Sequence, residues 1–195
     1  MNDVRGLLEE GTATFLRAVE SLPDDAWDGP SRLPDWRPRE VVAHVHHNAL
    51  ALRNLVAWAR TGVETPMYTS AEQRDHDIRT TATEPVAVLR TLVQESAQAL
   101  DEDLDGLDDD QWQAEVRTAR GRTVRATAIP WLRTREVAVH AVDLGAGLRF
   151  DDLSDDLNRA LVEDVVAFRL GRGEAATLAA WLTGRQDGAA LGPWL

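Results

Sequence analysis

Apolar residues return every three to four positions through four long stretches of this chain, a period that a helix buries and a strand does not. Leu7, Leu8, Phe15, Leu16 and Val19 share one face of residues 3–20. Val41, Val42, Val45, Leu50, Leu52, Leu55 and Val56 repeat the pattern from about Pro38 to Arg60, with Gly62 as the stop. The run PVAVLRTLVQESAQAL carries a third helix over 84–104. A fourth runs from about Ile129 to Leu144, with Pro130 in its first turn, where a missing N–H costs nothing. Shorter elements fit between and after these. AEQRDHDIRTTA reads as a polar helix, residues 154–170 as a helix with Ser154 as N-cap, and EAATLAAWLTG as the last helix. Residues 63–71 read as a loop, the acidic stretch DEDLDGLDDDQW as a turn and solvated cap, and 114–127 as a small hairpin or extended loop about Gly121. Four long helices joined by polar connectors predict an all-α, or nearly all-α, bundle over 1–150. A helical extension over 151–195, packed on that bundle, is expected to follow.

Composition narrows the chemistry. The chain has 195 residues and is 44% hydrophobic, enough to bury a core. It has no cysteine, which excludes disulfides, cysteine nucleophiles and thiolate metal ligands. A net charge of −12 argues against nucleic acid or anionic membrane as partner. An anionic small substrate would need arginines gathered locally. No apolar run is long enough to span a membrane, and MNDVRGLLEEGTATFL is acidic and amphipathic rather than signal-like, so a cytoplasmic protein is expected.

Histidines are the candidate ligands. Three of the five lie in VAHVHHN, and the others are His76 and His140. Glu136 and His140 are four apart, so both leave the same face of one helix and can offer a carboxylate oxygen and an imidazole nitrogen to one metal. A third ligand from a facing helix would complete an open site, and His44, His46 and His47 are all available by spacing. On spacing alone the commoner reading of either pattern is a solvated helix face. Asp143, three residues past His140, is placed to support it from behind, and Arg133 and Arg135 flank the pair, although one helix cannot aim both inward. Trp36, Trp58 and Trp131 are candidates to wall a pocket. No phosphate loop, dinucleotide fingerprint or nucleophile elbow is present.

Three long segments, LPDWRPREVVAHVHHNALAL, WARTGVETPMYTSAEQRDHDI and IPWLRTREVAVHAVDLGAGLRFDDL, resemble the mycothiol-dependent maleylpyruvate isomerase family, over about 33–153. The resemblance implies a DinB-like four-helix bundle. It implies one zinc, or another divalent metal, held by His44, Glu136 and His140, which selects His44 from its neighbours. It also implies a catalytic arginine in a C-terminal α/β domain, falling on Arg185 in AAWLTGR. Only GRGEAA separates the helix ending near Leu170 from TLAAWLTGR, so that domain is shortened here, and Arg133 stands as the alternative cation.

The implied chemistry is cis–trans isomerisation of maleylpyruvate to fumarylpyruvate. Mycothiol is the thiol cofactor: its thiolate, held at the open metal position, adds to the double bond and later leaves. The shortened tail keeps a second activity open, a mycothiol S-transferase acting on an electrophilic small molecule. A third reading is a non-catalytic, metal-stabilised bundle that binds a small ligand. Other residues binding the thiol, and the oligomeric state, are not indicated by the sequence.

Overall fold

The computed structural model describes residues 2–188 and 194. The chain divides by its internal contacts into Met1–Arg149 and Phe150–Leu195. Within the first unit the four long helices form as their periodicity predicts: α1 (Asn2–Ser21), α2 (Pro38–Thr61), α4 (Val86–Asp105) and α6 (Ile129–Asp143), with the shorter α3 (Ala71–Thr81) between α2 and α4. In the ring of four, α1 lies along α6, α6 on α2, and α2 on α4, while α4 and α1 touch only lightly. Helices α2 and α6 run antiparallel, since Arg133 meets Val45 and Asn48 whereas Glu136 meets His44.

Local chemistry sets the boundaries. Pro38 opens α2, and Arg37 with Glu40 closes a capping box there; Gly62, at φ 71, accepts the left-handed turn that ends it. The Ser70 side chain accepts from Gln73 N to start α3. Pro130 sits in the first turn of α6. Between α4 and α6 the acidic stretch read as a solvated turn holds a helix, α5 (Asp109–Gln113), with a reciprocal Asp108–Gln111 capping box and a buried Trp112. The hairpin around Gly121 forms as β1 (Glu115–Arg117) and β2 (Thr123–Arg125), pairing Val116 with Val124; Gly121 turns at φ 76. The connector before α2 carries a 3-10 turn, Asp24–Asp28, that buries Trp27 completely.

Two apolar clusters fill the first unit. One gathers Leu52, Leu55, Leu100, Leu104, Trp112 and Ile129; the other gathers Phe15, Trp27, Val41, Val45, Leu89 and Val137. On α1, Gly11 lets α6 come close: a Cβ there would stand 3.0 Å from Val137 Cγ2 and 3.5 Å from the Thr134 carbonyl. The second unit holds α7 (Asp155–Gly171) and α8 (Ala175–Leu182) after a 3-10 turn, Phe150–Asp152. Ser154 caps α7 by accepting from Leu157 N, as its position predicts. Residues 189–193 and 195, the tail of the expected 151–195 extension, lie outside the described residues. Among the described residues, no helix is long and apolar enough to cross a membrane.

Candidate metal centre

The antiparallel crossing of α2 and α6 brings His44, Glu136 and His140 together, with one donor atom from each within 4.8 Å of the others. Glu136 Oε2 stands 3.0 Å from His44 Nε2 and 3.4 Å from His140 Nε2. The two rings are nearly perpendicular, with centroids 4.9 Å apart. Both histidines are buried. On the far side of His140, Nδ1 donates to Asp143 Oδ2 at 2.9 Å, which fixes the ring and leaves Nε2 facing Glu136.

Protonation follows from this packing. Burial acts to push the Glu136 carboxyl up, but hydrogen bonds and charge from His140 and His44 outweigh it and hold the carboxyl well below the usual carboxylate range. Burial acts to lower His140, and its bonds to Asp143 and Glu136 overcome that and raise it to about 9. His44, whose burial prevails over Glu136, is pushed down and stays neutral.

The other two histidines of VAHVHHN are engaged elsewhere. His46 Nδ1 donates to the Leu92 carbonyl at 3.0 Å, and burial pushes it down to about 4. His47 Nε2 pairs with Thr81 Oγ1 at 2.8 Å. His76 is exposed on α3. Of the tryptophans, Trp36 packs edge-on against the His44 ring at 5.6 Å, and Trp58 lines a nearby cleft.

That cleft, of about 300 Å3, is bounded by Trp58, Met67, Tyr68, Arg74, Arg117 and Gly121. Arg74, from α3, belongs to both cleft and centre: its NH2 donates to His44 Nδ1 at 3.2 Å, and its guanidinium lies 5.8 Å from the Tyr68 ring centroid. Because a guanidinium only donates, Nδ1 is bare and the His44 hydrogen sits on Nε2, directed at Glu136. Burial raises Tyr68, which stays a phenol and a donor. Sequence reasoning missed both Arg74 and Tyr68. The one available signal was that Tyr68 is the chain's only tyrosine.

The two expected arginines are placed very differently. Arg133 is 1% exposed, and its NH1 donates to the Val45 carbonyl at 2.7 Å and to Asn48 Oδ1 at 2.9 Å. Burial pushes it down to about 10 against the charge of Glu136, one turn on. Arg135 is half-buried, so α6 aims only one of the pair fully inward. Arg185 belongs to the second unit, just past α8, where it is exposed and its NH1 donates to the Thr183 carbonyl.

Residues 8–145 match the family described as the mycothiol maleylpyruvate isomerase N-terminal domain. Two crystal structures of the mycothiol-dependent maleylpyruvate isomerase, one of a histidine-to-alanine variant, are each 39% identical to this chain with a TM-score of 0.79. Each match covers 82% of this chain and 67% of the other. YfiT from Bacillus subtilis, described as a probable metal-dependent hydrolase with an unusual four-helix bundle topology, is 21% identical with a TM-score of 0.60, over 77% of this chain and 87% of its own. At that identity the likeness speaks for the fold alone, and it agrees with the DinB-like bundle expected from the sequence. No curated protein sequence matches the chain significantly.

Proposed function

The chain belongs to the mycothiol maleylpyruvate isomerase N-terminal domain family, and from that premise we propose a metal-dependent enzyme that uses mycothiol to convert maleylpyruvate to fumarylpyruvate. The observation that carries the proposal is the buried convergence of two imidazoles and one carboxylate, with Asp143 behind His140. Nitrogen and oxygen donors of this kind suit zinc, with three protein groups leaving a position open. A divalent ion held by His44, Glu136 and His140 would supply a Lewis-acidic seat that keeps a thiol ionised near neutral pH.

The remaining chemistry belongs to the chain's own side chains. Were a divalent ion held there, the two carboxylates of Glu136 and Asp143 would be outweighed by it with the half-buried Arg74 and the buried Arg133, so the site would favour anionic ligands. If His44 held the ion through Nε2, its hydrogen would sit on Nδ1, and the Arg74 guanidinium would there face a donor. Arg74 would then lose that contact but still line the cleft, where its fork could take a substrate carboxylate. Tyr68, still protonated, offers a neutral donor beside it. Arg185 is proposed as the cation for the second carboxylate, and Arg133 as a fixed charge that supports the site through its field.

Incubating the zinc-loaded protein with mycothiol and maleylpyruvate tests the reading. Fumarylpyruvate should accumulate with no net loss of thiol. Failure to isomerise, with thiol consumed by an electrophile, would replace the isomerase by a mycothiol S-transferase. One observation favours that second reading: the match leaves a third of the isomerase chain uncovered, and among the described residues the second unit is built of helices alone.

A further inference from the structure

Arginine is seldom fully buried without a carboxylate, because removing the guanidinium from water costs several kcal/mol that only a counter-charge recovers. Arg133 is such a case. Its guanidinium makes two hydrogen bonds, both through NH1 and both to neutral acceptors. Among the described residues it has no ion pair and no further hydrogen bond, which leaves Nε and NH2 without a protein partner but not sealed from water. Glu136 is close enough for its charge to be felt, but its oxygen is engaged by the two imidazoles.

Arg133 also lines a second cavity, of about 390 Å3, in the groove where α1 and α4 touch only lightly. Leu8, Ala13 and Leu16 of α1 face Ala97 and Leu100 of α4 across it. The rim is polar: Glu9, Gln94, Gln98 and Asp101, the last held at 2.8 Å by Arg5. None of His44, Glu136 and His140 lines this groove, so it is separate from the candidate metal centre and from the cleft at Arg74.

We propose that the α1–α4 groove is a second ligand site, which takes a small organic monocarboxylate with an apolar body and seats its carboxylate on Arg133. The chemistry of each part selects that class. A mostly buried guanidinium whose unbonded nitrogens open only into the groove calls for an anion with two oxygens to match its fork. The aliphatic walls call for an apolar body rather than a bare inorganic ion, and the acidic rim disfavours a second negative charge at the mouth. At roughly 30 Å3 per water-sized group, the cavity holds about a dozen non-hydrogen atoms, the size of a medium-chain or aromatic acid. The site uses neither the metal nor the thiol, and shares with the isomerase reading only Arg133, invoked there for its field.

Octanoate is a suitable probe, titrated by calorimetry into the metal-loaded protein. One equivalent should bind per chain, and octanol, with the same tail and no carboxylate, should bind at least tenfold more weakly. Ala13→Trp, at an exposed position on the groove wall, should abolish octanoate binding and leave the metal content unchanged. Arg133→Met, checked for folding by circular dichroism, should weaken octanoate tenfold to a hundredfold, about the worth of a hydrogen bond to a charged group. Equal binding of octanol, octanoate binding undiminished in Ala13→Trp, or no saturable binding at millimolar octanoate would each overturn the proposal.

Discussion

The two units of this chain bury their side chains in opposite ways. Among the largest fully buried residues, Trp27, Phe15, Leu52, Leu55, Leu89, Leu100, Leu104 and Ile129 belong to Met1–Arg149, whereas Phe150–Leu195 contributes Leu157. Exposed large apolar residues show the reverse, with Phe150, Val162, Leu170, Trp181 and Leu182 in the second unit and Val63 and Val88 in the first. A short segment has too little interior to exclude water. The first unit has enough to hold a carboxylate, two imidazoles and an unpaired guanidinium away from solvent, where electrostatic interactions are strong and selective. A site that orders charge is therefore expected in the bundle, and the second unit can contribute only what an exposed segment can.

The sharpest way to break that contrast is through the metal. His44→Ala and His140→Ala should each reduce bound metal from one per chain to nearly none, while Arg185→Ala in the second unit should retain it all. Full metal content in both histidine variants would remove the basis for the centre. Packing gives the next largest effect. Leu52→Ala should cost about 2–5 kcal/mol of unfolding free energy, and Val162→Ala no more than about 0.5 kcal/mol. Comparable losses in denaturant titrations would mean that the second unit has an interior its exposed residues do not suggest. Turnover is the third test. Arg185→Ala should slow isomerisation about a hundredfold at constant metal content, the scale of losing one positioned charge-stabilising group. Unchanged kinetics would confine the chemistry to the bundle and remove Arg185 from the site.

The smallest effect is on the pH dependence of the metal-free protein. His140 titrates at about 9 in the fold against an ordinary 6.5, so its contribution is complete below 6.5 and is lost as pH rises toward 9. The Tm of the metal-free form should fall measurably over that window. The loaded form should show no such fall, because a ligating His140 has already given up its proton. Equal slopes with and without metal would separate His140 from the centre.

Much of the bundle is legible in the sequence because helices are local: the apolar period, Pro38, Gly62, Pro130 and Ser154 each act within a few residues of themselves. Glu136 with His140 and Asp143 is legible for the same reason, since i, i+4 and i, i+3 spacing is helix geometry. Which histidine answers them is not local. His44, His46 and His47 look alike until the crossing of α2 with α6 turns the first toward Glu136 and leaves the others to Leu92 and Thr81. Arg74 and Tyr68 come from a polar helix and a loop, with no periodicity to mark them. Helix α5 was hidden by its own charge: six aspartates around one tryptophan suggest solvent, yet Asp108 and Gln111 spell a capping box that the acidity obscured.

Gly11 has a consequence for the tolerances of the whole device. At its crossing with α6 the clearance is that of a bare Cα–H, and the segment it faces, Thr134 to Ala138, is the one that carries Glu136. Helix α1 donates nothing to the metal, yet it serves as the end-stop that sets how deep α6 is seated. One added methyl would have to be absorbed as a few tenths of an ångström of travel by the helix that bears two of the three candidate ligands. Coordination bonds are judged on that same scale, so the hydrogen atom of a glycine on a helix that never touches the metal acts as a gauge block for the centre.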